Sequence, residues 1–187
     1  DTLNQVYSSA NEYTIQLTIE SDQGCFDSLT KAVTSYPMPE AQFALDTSHL
    51  CDRGNVFAID YQGLISDGSI YKRWSFGDGD SSTTADDTTK SYTTFGSYTI
   101  RLELMSDFDC RDTIEQILTV HPQPKAQFTI DDSLQCFRGH EIVAVNESTL
   151  VQGTVQSITW TTDSTDYLDI DTLNQVYSSA NEYTIQL

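Results

Sequence analysis

The chain has 187 residues and a formal net charge of −19, with 28 acidic side chains against nine lysines and arginines. Nucleic acid and anionic membranes are poor partners for so acidic a chain, because like charges repel. No apolar run approaches the roughly 20 residues that cross a bilayer, so no membrane insertion is expected in this segment. Thr, Ser, Tyr, Val and Ile are abundant, which favours strands over helices.

Apolar and polar residues alternate with a period of two along several short segments, which predicts β-strands. In chain order these segments are 13–19, 28–33, 56–59, 71–76, 98–104, 113–120, 142–145 and 157–161. Turn signals rich in Gly, Asp and Ser separate them at 66–68, 77–79 and 95–97. Short strands at this spacing, with no helical segment between them, predict an all-β sandwich.

The chain also repeats itself. Residues 1–17, DTLNQVYSSANEYTIQL, recur without change as residues 171–187. Within that long period lies a shorter one of 85 residues, by which Pro37–Phe43 recurs as Pro122–Phe128 and Cys51–Gly54 as Cys136–Gly139. Similarity at a fixed period is typical of arrays whose function rests on length and geometry. We therefore predict a window of a tandem array whose repeat contains two diverged modules, joined by short, stiff Pro-x-Pro segments.

Four cysteines occupy two equivalent positions in each module, Cys25 with Cys110 and Cys51 with Cys136. Regular cysteines in an acidic β-rich array indicate disulfides and an oxidising, exported setting. Zinc is disfavoured, because there is no C-x-x-C and the three histidines are not spaced as ligands beside the cysteines.

Two stretches of the first module resemble the polycystic kidney disease (PKD) domain. That family is marked by a W-x-F-G-D-G stretch and a later Y-x-x-x-G-x-Y-T-V-x-L stretch, which correspond to WSFGDG from position 74 and to the segment 92–102. The residues that carry this resemblance are Trp74, Phe76, Gly77, Asp78, Gly79, Tyr92, Gly96 and Tyr98. The second module keeps Trp160, Tyr177 and Tyr183 but lacks the Gly-Asp-Gly turn.

The resemblance implies a division of the chain into three parts. Residues 1–37 are expected to be the C-terminal strands of a preceding PKD-like module, and residues 38–123 a complete PKD module. Residues 124–187 are expected to be a degenerate PKD-like module that is truncated before its last strands. The implied architecture is a series of tandem Ig-like β-sandwiches of about 85 residues that form an extended rod.

The resemblance also implies a function. PKD domains serve as spacers, adhesion modules or accessory domains of secreted enzymes. The version with these cysteines and Pro-x-Pro joints is similar to arrays on large surface proteins of Bacteroidota, gliding-motility adhesins among them. It implies an extracellular, cell-surface location, with adjacent copies of the repeat, surface glycans or other cells as partners. We therefore predict a structural repeat of an adhesin or filament stalk, with a calcium-dependent glycan-binding module or an accessory region of a secreted hydrolase as alternatives.

The Ig-like topology bears on the pairing of the cysteines. One pairing joins Cys51 to Cys110 within a module, and the other joins each module to its neighbour. In an Ig-like sandwich the two cysteines of one module lie at opposite ends, which favours bridges between adjacent modules, because bridged Cα atoms lie within about 7 Å of each other.

Candidate chemical sites are few. Trp74 and Trp160 are interpreted as core residues, with sugar stacking as the alternative. Asp78–Asp80 is interpreted as a tight turn, because it lacks the further ligands of a calcium loop, and no cofactor is expected. No G-x-S-x-G or other nucleophile context is present, so an enzyme is not expected. Four Asp-(Ser/Thr)-apolar triplets resemble an O-glycosylation acceptor of Bacteroidota and place candidate sites at Ser28, Thr113, Ser133 and Thr172.

Overall fold

A computed structural model describes residues 2–48, 50–84, 88–163 and 165–187, with Thr88 described by its backbone alone. This part of the chain contains fifteen strands and no helix, which confirms the all-β prediction. No helix in it could therefore cross a membrane. The chain divides into two compact units. The first comprises residues 1–50, 55–92 and 96–120, and the second comprises residues 51–54, 93–95 and 121–187.

A long hairpin opens the first unit. β1 (Asn11–Glu20) pairs antiparallel with β2 (Phe26–Ser35) over ten residue pairs. A tight turn joins them, in which the Ser21 N–H donates to the Cys25 carbonyl at 2.8 Å. Alternation along β1 places its apolar residues on one face of the hairpin.

Two sheets follow, built from seven strands of residues 43–120. One sheet has the order β3–β4–β7, from β3 (Phe43–Leu45), β4 (Phe57–Tyr61) and β7 (Thr88–Lys90). The other has the order β6–β5–β8–β9, from β5 (Ile70–Ser75), β6 (Ser81–Ser82), β8 (Gly96–Ser106) and β9 (Arg111–Val120). Both sheets contribute side chains to one core, so this module is an Ig-like β-sandwich of the kind expected.

Trp74 lies in the core of this sandwich and is 0% exposed. The Phe43 ring meets it edge-on, with ring centroids 5.1 Å apart, and the Phe76 ring lies parallel to it at 6.3 Å. The apolar side chains of β8 and β9 complete the core. Among the described residues, the buried members of the whole core are Ala41, Phe43, Phe57, Ile59, Trp74, Phe76, Tyr92, Ile100, Leu102, Leu104, Leu118 and Val120.

The second unit repeats this plan with fewer strands. One sheet is β10 (Phe128–Ile130), β11 (Ile142–Asn146) and β14 (Thr172–Gln175), in that order. The other has the order β13–β12–β15, from β12 (Thr159–Thr162), β13 (Thr165–Leu168) and β15 (Ile185–Gln186). Its buried apolar core is smaller and consists of Ala144, Trp160 and Leu173. The short strands β3, β6, β7, β10, β13 and β14 carry too few alternations to be recognised from the sequence.

One turn prediction needs correction. The segment 95–97 was expected to be a turn, but Gly96 and Ser97 already belong to β8 and pair with Val120 and Thr119. Gly96 has a φ of +153°, a conformation that glycine adopts readily because it has no Cβ.

A matched pair of isoleucines tests the assignment of the core. Ile59 is 0% exposed, whereas Ile117 on β9 is 72% exposed. We expect Ile59→Ala to lower the free energy of unfolding by about 2 to 4 kcal/mol, because it removes buried methyl groups and leaves a cavity. Ile117→Ala should cost less than about 0.5 kcal/mol. Urea titration followed by tryptophan fluorescence measures both changes, and equal effects would contradict the assignment.

Candidate functional site

The signature turn that follows β5 depends on its two glycines. Gly77 and Gly79 have φ angles of +79° and +99°, in the left-handed region that L-residues rarely adopt. A Cβ on Gly77 would lie 2.8 Å from the backbone nitrogen of Thr99. Within the turn the Asp80 N–H donates to the Asp78 carboxylate at 3.0 Å. The motif is therefore a tight turn packed against β8.

Lys90, at the end of β7, holds this turn to the opposite sheet. Its ammonium lies 2.7 Å from the Asp78 carboxylate and also contacts the carboxylate of Asp80. It sits over the rings of Phe76 and Tyr92, at 5.3 and 5.7 Å from their centroids. Sequence analysis did not single out this lysine, because only the fold brings it next to the turn.

The contact between Lys90 and the turn shifts the pKa values of Asp78 and Lys90. Partial burial acts to raise the pKa of Asp78, but the hydrogen bond from Lys90, the Asp80 N–H and the charge of Lys90 outweigh it and hold that pKa below its ordinary value. Burial likewise opposes charge on Lys90, but hydrogen bonds to Asp78 and Asp80 raise its pKa above the ordinary value. The Lys90 ammonium thus lies between the carboxylates of Asp78 and Asp80. The described residues contain no group of three or more side chains that could hold a metal ion.

Tyr92 is fixed from both sides by buried hydrogen bonds. The side-chain amide of Asn55 accepts from the Tyr92 N–H at 2.7 Å and donates to the Tyr92 carbonyl at 2.6 Å. The Tyr92 hydroxyl donates to the Phe76 carbonyl at 2.5 Å, and its ring stacks on Tyr98 at 3.7 Å. Burial, together with the charge of Asp78, raises the pKa of the Tyr92 hydroxyl. These groups serve packing, so the signature residues form a structural unit.

The second module keeps part of this arrangement. Tyr177 stacks on Tyr183 at 3.6 Å, as Tyr92 does on Tyr98. His140 takes the place of Asn55, since its Nε2 accepts from the Tyr177 N–H at 2.7 Å. The buried Tyr177 hydroxyl has no hydrogen-bond partner among the described residues. In the first module the equivalent hydroxyl bonds to the carbonyl of Phe76, just before the Gly-Asp-Gly turn that the second module lacks. Trp160, like Trp74, is 0% exposed and offers no face to a sugar.

The structure places the cysteines at two kinds of position. Cys25 lies at the turn of hairpin β1–β2, and Cys110 lies at the turn of hairpin β8–β9. The two turns have closely similar geometry. The Ser21 N–H donates to the Cys25 carbonyl at 2.8 Å, and the Ser106 N–H donates to the Cys110 carbonyl at 2.9 Å. Cys51 instead forms a parallel bridge with His121, the residue after β9. Cys136 is the exposed equivalent of Cys51, and Cys25, Cys110 and Cys136 carry free thiols.

This placement excludes a disulfide between Cys51 and Cys110 in the same module. Cys110 immediately precedes β9, and His121 immediately follows it. The ten residues of that strand span about 33 Å at the usual rise of a strand. Bridged Cα atoms lie within about 7 Å, so Cys51, beside His121, is several times too far from Cys110.

The Pro122–Pro124 joint is held on both sides by backbone contacts within the second unit. The Asp52 N–H donates to the His121 carbonyl at 2.8 Å, and the Asp52 carboxylate accepts from the Gln123 N–H at 3.0 Å. On the far side, the N–H of Lys125 donates to the carbonyl of Thr149 at 2.8 Å. Sequence analysis did not identify Asp52 or Thr149, because both lie far along the chain from the joint.

Ser28, Thr113, Ser133 and Thr172 are all exposed. Their O-glycosylation therefore stays a prediction that their surroundings permit. The sequence-predicted residues thus fall into separate groups: a packed aromatic and turn unit in each module, cysteines at the module ends, and scattered surface hydroxyls. Together they form no constellation of nucleophile, base and oxyanion donors in the described part of the chain.

The chain is similar to known proteins in sequence and in structure. Residues 38–121 match the family model described as a PKD domain. Among solved structures, the chain is similar to the PKD1 domain of Vibrio anguillarum Epp, with 26% identity over 48% of this chain and 100% of that chain and a TM-score of 0.41. It is also similar to the PKD1 domain from Vibrio cholerae metalloprotease PrtV, with 32% identity over 46% of this chain and 98% of that chain and a TM-score of 0.38.

A third similar structure concerns the promiscuous specificity of carbohydrate-binding modules from the β-sandwich superfamily, with 14% identity over 80% of this chain and 83% of that chain and a TM-score of 0.41. No curated protein matches the chain. The complete module is thus an Ig-like β-sandwich of the PKD class. Residues 38–121 belong to the PKD domain family, whose members typically occur in extracellular or secreted proteins.

Replacing Lys90 tests the structural interpretation of the signature turn. We expect Lys90→Met to lower the free energy of unfolding by about 1 to 2 kcal/mol near neutral pH, because it removes a partly buried charged hydrogen bond but keeps the apolar stem. The control Arg101→Met breaks the exposed pair between Arg101 and Glu115 and should cost less than about 0.5 kcal/mol.

The cost of Lys90→Met should also depend on pH. Because folding lowers the pKa of Asp78, the ionised carboxylate stabilises the fold at pH values above its ordinary pKa of 3.8. This contribution is lost as the pH falls through the folded-state pKa. Because folding raises the pKa of Lys90, the ammonium stabilises the fold at pH values below its ordinary pKa of 10.5. This contribution is lost as the pH rises through the folded-state pKa. Urea titrations of both proteins at several pH values should therefore converge in strong acid and strong base. A constant difference would contradict the ion pair.

Proposed function

We propose that this chain is a structural repeat of a secreted cell-surface adhesin or filament stalk, which acts as a rigid spacer and takes part in adhesion. The observation that carries the proposal is the unchanged recurrence of residues 1–17 as residues 171–187. A match of this length favours recent duplication of a whole repeat, and an array of copies is suited to a function that depends on length and multivalency.

Strand pairing supports the repeat at the level of structure. Asn11 pairs with Ser35 across hairpin β1–β2, and Gly96 pairs with Val120, each 85 positions later, across hairpin β8–β9. In the second unit Thr161 pairs with Gln186, as Ser75 pairs with Arg101 in the complete module. The same sandwich plan therefore recurs with the same register, as a modular stalk requires.

The joints support a spacer rather than a flexible tether. Proline fixes its own φ and restricts the preceding residue. The backbone contacts of His121, Gln123 and Lys125 hold the segment before, within and after Pro122–Pro124. The net charge of −19 adds repulsion between neighbouring stalks.

Recombinant chains with one, two and four copies of residues 18–187 test the spacer. β8 spans 11 residues, or about 36 Å, so two stiffly joined modules should add about 75 Å per copy. Small-angle X-ray scattering should show the maximum dimension rising linearly with copy number. A matched flexible control replaces the four joint prolines with glycine, at Pro37, Pro39, Pro122 and Pro124. This control should add less length per copy. If the proline and glycine forms scatter alike, the stiff spacer is wrong.

Electron microscopy of source cells labelled with an antibody against the repeat tests the location. We expect label spaced along thin filaments that project from the surface. Label confined to compact released particles would contradict the stalk and favour the accessory region of a secreted hydrolase. Calcium-dependent binding on a glycan array by a single copy would favour the glycan-binding module instead.

A further inference from the structure

The imidazole of His140 lies between two backbone groups of opposite hydrogen-bonding character. Its Nδ1 is 2.6 Å from the Phe137 carbonyl oxygen, and its Nε2 is 2.7 Å from the Tyr177 nitrogen. A carbonyl oxygen can only accept a hydrogen bond, and a backbone N–H can only donate one. Nδ1 must therefore carry the proton, and Nε2 must be the acceptor. Both bonds form together only when the imidazole is neutral and in this one tautomer.

Protonation of the imidazole breaks this arrangement. An imidazolium carries a hydrogen on each ring nitrogen and has no acceptor left. Its Nε2–H would then face the N–H of Tyr177, with two donors 2.7 Å apart. The partly buried Tyr177 N–H would also lose its acceptor, which is unfavourable for a group that water reaches poorly. The arrangement in this structure therefore excludes the protonated form of His140.

Two aromatic rings flank the imidazole, but they do not offset this loss. The ring centroids of His140 and Tyr177 are 6.3 Å apart, and those of His140 and Phe137 are 5.7 Å apart. A cation is attracted to an aromatic face within about 6 Å of the ring centroid. One ring lies beyond that distance and the other lies close to it, so the hydrogen bonds decide which form of the imidazole is held.

Other titratable and charged side chains surround this contact, on the loop of His140, on the segment of Tyr177 and beyond β12. They are Arg138, Glu141, Asp163, Tyr177, Glu182 and Tyr183. All of them stay in place when His140 alone is replaced. A variant of His140 therefore isolates the contribution of the imidazole from that of its neighbours.

The contact holds the segment that crosses from one sheet of the second module to the other. Tyr177 lies between β14, which pairs with β11, and β15, which pairs with β12. His140 lies in the loop that precedes β11. The bond from the Tyr177 N–H to His140 therefore joins the crossing segment 176–184 to this loop.

The complete module has the same contact without a titratable group. Asn55 lies 85 positions before His140. Its side-chain amide accepts from the Tyr92 N–H at 2.7 Å and donates to the Tyr92 carbonyl at 2.6 Å. An amide side chain keeps its donors and its acceptor when the pH changes. The two modules therefore share this contact but differ in how it responds to acid.

We infer that His140 is a pH-sensitive switch, in which the neutral imidazole holds the crossing segment 176–184 and the protonated imidazole releases it. The released state can bind the proton and the held state cannot, so a fall in pH favours release. Free histidine side chains have a pKa of about 6.5, so release becomes more favourable as the pH falls below that value. The switch is a property of the second module alone and does not depend on the proposed stalk.

Hydrogen exchange of the Tyr177 amide, followed by NMR in the 187-residue chain, tests the switch. Protection factors correct for the intrinsic pH dependence of exchange. The factor at Tyr177 should fall about tenfold between about pH 7.5 and about pH 5.5, because free histidine gains its proton over this range while carboxylates stay ionised. The Tyr92 amide, which Asn55 holds, should keep its protection. An unchanged protection factor at Tyr177 would overturn the inference.

A second amide of the same module distinguishes local release from loss of the whole fold. The Asn146 N–H donates to the Asp171 carbonyl at 2.9 Å, at the end of β11. Its protection factor should stay constant over the same pH range, because the switch releases the crossing segment and leaves the sheet in place. An equal fall at Asn146 and Tyr177 would contradict local release.

A matched pair of histidine variants assigns the effect. His140→Asn places the side chain of the complete module at this position and should remove the pH dependence at Tyr177. His121→Asn replaces an exposed histidine and should leave the fall of about tenfold unchanged. A fall that persists in His140→Asn, or that disappears in His121→Asn, would overturn the switch.

The nitrogen chemical shifts of the His140 ring provide a test that needs no variant. At neutral pH we expect a protonated Nδ1 and an unprotonated Nε2, as the two backbone partners require. The opposite tautomer, or an imidazolium that keeps the Tyr177 amide protected, would overturn the inference. None of these outcomes bears on the scattering test of the stalk, because that test measures the length of joined copies.

Discussion

Closure of a two-sheet core by its last hairpin is the constraint on which this structure depends. Trp74 lies between the sheets, and β8 and β9 supply Leu102, Leu104 and Leu118 to cover it. The apolar side chains then leave water together, which is the main favourable term in folding. In the second unit the two sheets form around Trp160 and bury a smaller core.

The family signature supports this closure. The end of one sheet is held to the other by the glycine turn, the ammonium of Lys90 and the ring of Tyr92. The polar residues of the motif therefore serve packing. The second module has lost the turn, and its Tyr177 hydroxyl is buried without a partner in the described part of the chain. A buried polar group of this kind carries a cost, which is consistent with a module that retains the fold in a weakened form.

Placement of the cysteines follows from the length of the sandwich. In the PKD module one cysteine lies at a hairpin turn and another lies beside the residue that follows the last strand, a strand length away. A bond between these two cysteines of one module is therefore prevented by their separation. The backbone contacts around Pro122–Pro124 lie near Cys51, since Asp52 bonds to His121 and to Gln123.

Sequence alone determined the repeat, its register and the long strands, because identity and period-two alternation are local properties that need no knowledge of the fold. It also favoured the buried tryptophans and the turn at Asp78. Only the tertiary structure decided which distant groups meet: Lys90 with Asp78, Asn55 with Tyr92, and Cys51 with His121. These partners lie 12 to 70 positions apart, and their contacts arise only when the sheets pack face to face. The position of Cys51 beside His121 is one of these long-range contacts, and the length of β9 then separates Cys51 from Cys110.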